Sequence, residues 1–165
     1  PWVKTGEINY RRIQQTEEHI TEKDLANSAA KVFPRGTVLM AMYGQGVTRG
    51  RVAILEIDAT TNQACAALIP GRSLDSEFLY SYCEFAYDRI RDLGHGANQK
   101  NLSIDILKSL LIPKPKALAE QRQIAGVFRR LDEDIAIQER RQSQLANLFN
   151  STLHSLMNLN DALFG

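Results

Sequence analysis

Cysteine is scarce in this chain: Cys65 and Cys83 stand alone, 18 residues apart, with no CxxC pair and no neighbouring histidine pair. That excludes a typical zinc site and predicts two free, buried thiols of a cytosolic protein. Proline is rare as well, and no two prolines adjoin. The (Asn/Asp)-Pro-Pro-aromatic loop with which adenine-N6 DNA methyltransferases hold a flipped base is therefore missing. No lysine has an acidic residue two positions before it, which removes the common metal-dependent nuclease core. There is no GK(S/T) and hence no P-loop, and no GxSxG elbow. His19, His95 and His154 lie in different segments without HExxH or HxE spacing. Catalysis by this chain alone is not expected, and no cofactor or metal is implied.

Long apolar runs are also lacking, so no membrane span is expected, and Pro1-Trp2-Val3-Lys4 has no signal-peptide pattern. The chain opens inside a predicted strand, which leaves room for residues upstream. A cytoplasmic location is expected. Charge of one sign is absent too: the net charge is +1, with 14 Lys/Arg against 13 Asp/Glu in residues 1–115 and 6 against 6 in the rest. Any binding of nucleic acid must then come from local clustering, not bulk charge.

What is present is hydrophobic patterning, 44% of the chain, in two styles. Up to residue 113 the pattern is mixed. Thr21-Glu22-Lys23-Asp24 resembles a capping box and predicts a short helix ending before Phe33-Pro34. Thr37 to Tyr43, Arg51 to Ile57 and Asn62 to Ile69 read as strands. Trp2, Val38, Met40, Ile54, Leu55 and Leu68 are expected in the core. Ser76 is a candidate cap for a helix in which Leu79, Tyr82, Cys83, Ala86 and Ile90 recur at helical spacing. Gly94-His95-Gly96 ends it, Ser103 and Asp105 open another short helix, and Leu110-Leu111-Ile112-Pro113 reads as a closing strand.

Pro113-Lys114-Pro115 is the clearest boundary, because two prolines forbid a regular helix across it. Beyond it no proline occurs, and Ala117 to Met157 is rich in Leu, Ile, Ala, Gln, Glu and Arg. Such a stretch makes a helix of roughly 60 Å. Ile124, Phe128, Leu131, Ile135, Gln138, Gln142, Leu145, Phe149, Thr152 and Leu156 trace one heptad-like stripe for packing on another helix, interrupted by two glutamines that can fix register. The expected organisation is a domain over 1–113, a dimerisation or partner-docking helix over 117–157 and a tail over 158–165. The fold class is α+β, a mixed-sheet domain followed by a long coiled-coil-like helix.

Two loops carry candidate binding chemistry. Tyr43-Gly44-Gln45-Gly46-Val47-Thr48-Arg49-Gly50 joins two predicted strands, and its glycines permit close approach to another molecule. Gln45 suits adenine, Arg49 suits guanine, and Thr48 can bond a base or a phosphate. Arg51 follows as a phosphate contact. The spacing GxGxxxG before a strand is not the dinucleotide fingerprint; a flexible hairpin with Arg49 solvated is the alternative to a binding loop. The second loop, Gly94-His95-Gly96-Ala97-Asn98-Gln99-Lys100-Asn101, offers His95, Asn98 and Gln99 for bases and Lys100 for a phosphate. Read alone it is a helix C-cap followed by a turn; two such loops in one small domain point to a binding surface. Lys4, Asn9 and Tyr43 are candidates to line it.

Pro1-Trp2-Val3-Lys4-Thr5-Gly6-Glu7-Ile8-Asn9, Gly36 to Ala41, the Tyr43–Gly50 loop, Thr61-Asn62-Gln63-Ala64-Cys65, Asn98 to Ser103, and Ile112-Pro113-Lys114-Pro115 with Glu120-Gln121 resemble type I restriction specificity subunits, in the expected order over about residues 1–157. The resemblance implies a target recognition domain similar to the DNA-reading domain of an adenine methyltransferase, followed by a long helix. Such subunits have two of these repeats, whose helices pair antiparallel and set the distance between half-sites. It also implies double-stranded DNA and methyltransferase subunits as partners and, through the latter, a restriction/motor subunit. Catalysis then resides in those other subunits. Only one repeat is present here, as in a fragment or in a half-length subunit that forms a homodimer; a second recognition domain is the other partner for the helix. A free-standing DNA-binding regulator and an enzyme of an unrecognised class are the alternatives.

Overall fold

A computed structural model describes residues 1–44, 47–94 and 101–164, with side-chain exposure through Met157. The chain divides into two units, Pro1–Ala125 and Gly126–Gly165.

The first unit is built on a four-stranded mixed sheet. Its strands are β2 (Arg11–Ile13), β3 (Val38–Ala41), β4 (Val52–Leu55) and β6 (Cys65–Leu68), in the order β2-β4-β3-β6. β2 runs parallel to β4, whereas β3 is antiparallel to both β4 and β6. Every residue of β3 and β4 is buried, because both faces of the sheet are covered, as their continuous apolar runs require. The period-two alternation survives inside those runs. Val38, Met40, Val52 and Ile54 face one cluster with Leu79, Cys83, Ile90 and Leu107. Leu39, Ala41, Ala53 and Leu55 face the other, with Val3, Ile8, Ile13 and Ala59. A two-stranded parallel pair, β1 (Trp2–Val3) and β5 (Thr60–Thr61), lies outside the main sheet.

Among the described residues, five α-helices join the strands: α1 (Glu22–Ala26), α2 (Ser76–Phe85), α3 (Tyr87–Leu93), α4 (Ile104–Lys108) and α5 (Leu118–Phe164). Thr21 and Asp24 form the expected capping box. The helix stops well before Phe33, because Asn27 Nδ2 and Ser28 Oγ take the carbonyls of Lys23 and Leu25, a local competition that Asn and Ser offer readily. The cap of α2 is Asp75, not Ser76: its Oδ1 accepts from the Glu77 and Phe78 N–H groups. The predicted single helix is broken at Ala86 into α2 and α3, although Leu79, Cys83, Ala86 and Ile90 are all buried as the spacing required. Ser103 caps α4 as expected. Arg12 on β2 grips Glu77 of α2 through two hydrogen bonds of 2.7 and 2.5 Å. That bidentate geometry fixes the edge strand to the helix layer.

Two further expectations are corrected. Leu110 to Pro113 forms no strand. Leu110 and Ile112 instead pack on the α2 side of the core, and the Leu111 carbonyl accepts from Tyr82 Oη at 3.1 Å. Trp2 and Leu68, expected in the core, are only half-buried, whereas Val38, Met40, Ile54 and Leu55 are buried. Both cysteines are free and buried. The first unit includes the opening turns of α5, where Gln121 and Ala125 are buried.

In the second unit the helix exposes its apolar stripe. Phe128, Leu131, Ile135, Leu145, Phe149 and Leu156 are each about half exposed or more, from 48% to 67%. Ile124, at the end of the first unit, is half-buried. No described helix is long and apolar enough to cross a membrane.

Candidate nucleic-acid interface

The two candidate loops share a root. The first leaves β3 at Met42 and returns through Arg51 into β4; the second leaves α3 at Gly94 and returns at Asn101 and Leu102. The Leu102 N–H donates to the Met42 carbonyl at 3.1 Å, which ties the return of the second loop to the start of the first. The second loop is closed at its base, since a Cβ at Gly94 would stand 3.4 Å from the Asn101 carbonyl oxygen. Gln45, His95, Asn98, Gln99 and Lys100 lie outside the described residues, so nothing places their side chains.

Described parts of the first loop are held tightly. The Gly50 N–H donates to Ala41 O at 2.8 Å and the Arg51 N–H to Thr48 O at 3.1 Å. Gly44 has φ +136°, and a Cβ there would stand 3.0 Å from Thr48 Cβ. Gly50 has φ +86°, and its Cβ would stand 3.0 Å from Arg91 Cγ. Both positions require glycine for backbone conformation and for space. Tyr43 is 42% exposed and Thr48 is half-buried. Arg49 is not solvated in the free chain: it is only 7% exposed.

Arg51 is half-buried and already partnered. Its Nη1 donates to Asn9 Oδ1, and its guanidinium lies 5.6 Å from the centroid of the Tyr10 ring. Tyr10 meets Tyr87 edge-on, with ring centroids 5.9 Å apart and planes at 75°. Tyr87 in turn carries the Arg91 guanidinium 5.1 Å from its centroid. Tyr87 Oη accepts from Arg91 Nη1 and donates to the Val47 carbonyl in the first loop. Asn9, Tyr10, Arg51, Tyr87 and Arg91 thus form one continuous cluster of edge-on rings and guanidinium groups. Tyr10 is held protonated, pushed up to about 12 mainly by burial, with Tyr87 adding to the shift and the Arg51 charge opposing it. Sequence reasoning missed Tyr10, Tyr87 and Arg91. The only local signal was the Tyr-x-x-x-Arg spacing on α3, which puts both side chains on one face.

Lys4 stands apart from this cluster. Its Nζ makes ion pairs of 3.0 Å with Glu17 and with Glu18, and these two hydrogen-bonded carboxylates raise its pKa, Glu17 contributing most. In the free protein it is a neutralised cation.

The model of the type I restriction modification DNA specificity domain matches residues 1–147. The chain belongs to that family. Among curated relatives, this specificity domain is 29% identical over 150 residues to the MjaIX specificity subunit of Methanocaldococcus jannaschii, covering 88% of this chain and 34% of the relative. It is 23% identical over 135 residues to the EcoR124I/EcoR124II specificity subunit of Escherichia coli, covering 80% of this chain and 33% of the relative. The specificity domain therefore spans about a third of the length of these relatives.

Solved structures show the same fold. One from work on complex assembly and conformational transition of the type I R-M system superposes with a TM-score of 0.64 at 18% identity, covering 87% of this chain and 33% of the other. The S subunit from M. genitalium gives 0.59 at 18% identity, covering 70% and 31%. The HsdS subunit from Thermoanaerobacter tengcongensis gives 0.54 at 23% identity, covering 67% and 25%. The α+β architecture with a long C-terminal helix is thus the architecture of the family.

Proposed function

We propose that this chain reads one half of a split DNA target and docks methyltransferase subunits, through which a restriction/motor subunit acts on the same site. Membership of the DNA specificity family carries this reading, and the common root of the two loops supports it by giving them one place from which to approach a duplex. The chain contributes recognition, without catalytic chemistry or a cofactor of its own. Arg51 and Asn9 are the first candidates for contact, beside Tyr43, Gln45, Thr48 and Arg49 from the first loop and His95, Asn98, Gln99 and Lys100 from the second. The exposed stripe of α5 is the surface by which the chain joins a second copy or a second recognition domain, within the cytoplasm.

Expression with its methyltransferase subunits as the sole specificity component, followed by genome-wide mapping of methylated bases, tests the reading. Two identical reading domains related by a two-fold axis should produce an interrupted palindrome. An asymmetric motif counts against the homodimer. Methylation that is the same with and without this chain overturns the recognition role.

A further inference from the structure

We infer that Tyr87 is a positioning residue for base reading: from α3 it fixes the return of the first loop, at Val47 and at Gly50, so that the described residues Val47 to Arg51 meet DNA from a defined backbone. The inference rests on the DNA-reading function proposed above and adds a specificity-determining residue that does not touch the bases itself.

Contacts with three residues, Val47, Arg91 and Tyr10, place Tyr87 in this role. Its hydroxyl donates to the Val47 carbonyl, which lies between Gly46 and Thr48 in the loop. The same hydroxyl accepts from Arg91, so its proton is directed at the loop and not shared with another acceptor; a phenol has one hydrogen to give. The ring is itself immobilised, edge-on to Tyr10 on one side and under the Arg91 guanidinium on another. Gly50 closes the loop against this same ring: a Cβ there would stand 3.5 Å from the ring carbons Cδ2 and Cε2 as well as 3.0 Å from Arg91 Cγ. Both the middle of the loop and its return are therefore referred to one side chain on a helix.

The physical need is clear from the loop's composition. Three glycines in seven residues, Gly44, Gly46 and Gly50, leave a backbone with large conformational freedom in the absence of tethers. A bidentate contact to a base edge depends on fixed geometry. Val47 brings only a 55% exposed aliphatic side chain to the loop, so its carbonyl is the handle by which the fold holds it. Because the second loop begins at Gly94, the C-cap of α3, the helix that holds the first loop also carries one end of the second.

The experiment selects from a duplex pool with a randomised central segment, using the chain assembled with its methyltransferase subunits, and compares the enriched motif at each base pair. Tyr87→Phe keeps the ring and its stacking and removes only the hydroxyl. It should lose preference at a contiguous subset of base pairs by three- to tenfold, as expected for the one hydrogen bond that reaches the loop, and keep the rest of the motif. Gly50→Ala, which pushes a methyl group toward Arg91 and the intact Tyr87, should degrade the same base pairs. An unchanged motif for Tyr87→Phe overturns the inference. So does an even loss across every position accompanied by a lower melting temperature, which marks Tyr87 as merely structural. A wild-type chain that enriches no motif is a different failure: it removes the DNA-reading function and this inference with it.

Discussion

The side-chain amide of Gln121, on the first turn of α5, accepts the Asp75 N–H at 2.9 Å, at the cap of α2. Gln121 is fully buried, and its Nε2 also donates to Ser73 O at 3.1 Å and Pro115 O at 2.7 Å. One amide thereby satisfies one backbone donor and two backbone acceptors, and Arg122 adds a 3.2 Å contact to the Asp75 carboxylate. The site needs a group that both donates and accepts, which among uncharged side chains of this length is glutamine. Gln121→Leu should lower stability by about 2–3 kcal/mol, because buried backbone groups lose their partners. Gln121→Glu should do no better, since it places acceptor oxygens against two carbonyls. Denaturant titration measures both; a loss under half a kilocalorie in either variant refutes the account.

The apolar stripe of α5 leads to a second prediction. Phe128 and Leu145 are 48% and 67% exposed, so replacing either by aspartate removes little from the fold of a single chain. In a helix pair the same change buries an unpaired charge. Phe128→Asp and Leu145→Asp should weaken self-association at least tenfold while helix content is preserved. Sedimentation at micromolar concentration tests this, and a wild-type chain that stays monomeric with its helix intact removes the proposed homodimer.

Much of the fold was legible because local pattern and tertiary position agree. β3, β4 and β6 lie inside continuous apolar runs, and Thr21 and Ser103 signal their helix starts through side-chain chemistry alone. Where the decisive partner is distant in sequence, the reading failed. Arg11-Arg12-Ile13 has no strand pattern of its own and becomes β2 by pairing in parallel with Ala53 to Leu55. Leu110-Leu111-Ile112 has the pattern but pairs with no strand, and Leu110 and Ile112 pack on the core without one. At the candidate site, Gly44 and Gly50 have the positive φ that glycine was expected to supply, whereas the burial of Arg49 had no signal in the sequence. Tyr10 and Tyr87 meet only in the folded chain, and no spacing rule connects them.

Alkaline pH should destabilise the protein. Burial pushes the Cys83 thiol from 9.0 up to about 12, and Tyr10 rises from 10.0 to about 12. Both folded-state values lie above the unfolded ones, so their share of stability is complete below about pH 9. It is lost as pH climbs toward 12, because the unfolded chain releases these protons first. Melting temperature measured through this range should fall, and Cys83 should resist alkylation at neutral pH until the chain is unfolded. Rapid modification of Cys83 in the native protein contradicts the buried thiol.

Arg49 and Arg51, two positions apart at the end of the first loop, should separate in their effects. Arg49 is only 7% exposed, so Arg49→Ala should lower the melting temperature by removing packing as well as charge. Arg51 sits at the edge of the aromatic cluster, bonded to Asn9 and stacked on Tyr10. It can exchange Asn9 for a phosphate without leaving the ring. Arg51→Ala should then weaken binding on target and scrambled duplexes alike and reduce the salt slope by about one unit. Affinities on both duplexes at two salt concentrations, with melting curves for each variant, distinguish the two roles. If Arg49→Ala instead leaves stability unchanged and relaxes preference at a single base pair by about 1–3 kcal/mol, then Arg49 leaves its buried position to meet guanine. In that case Arg51 yields its place as the leading contact.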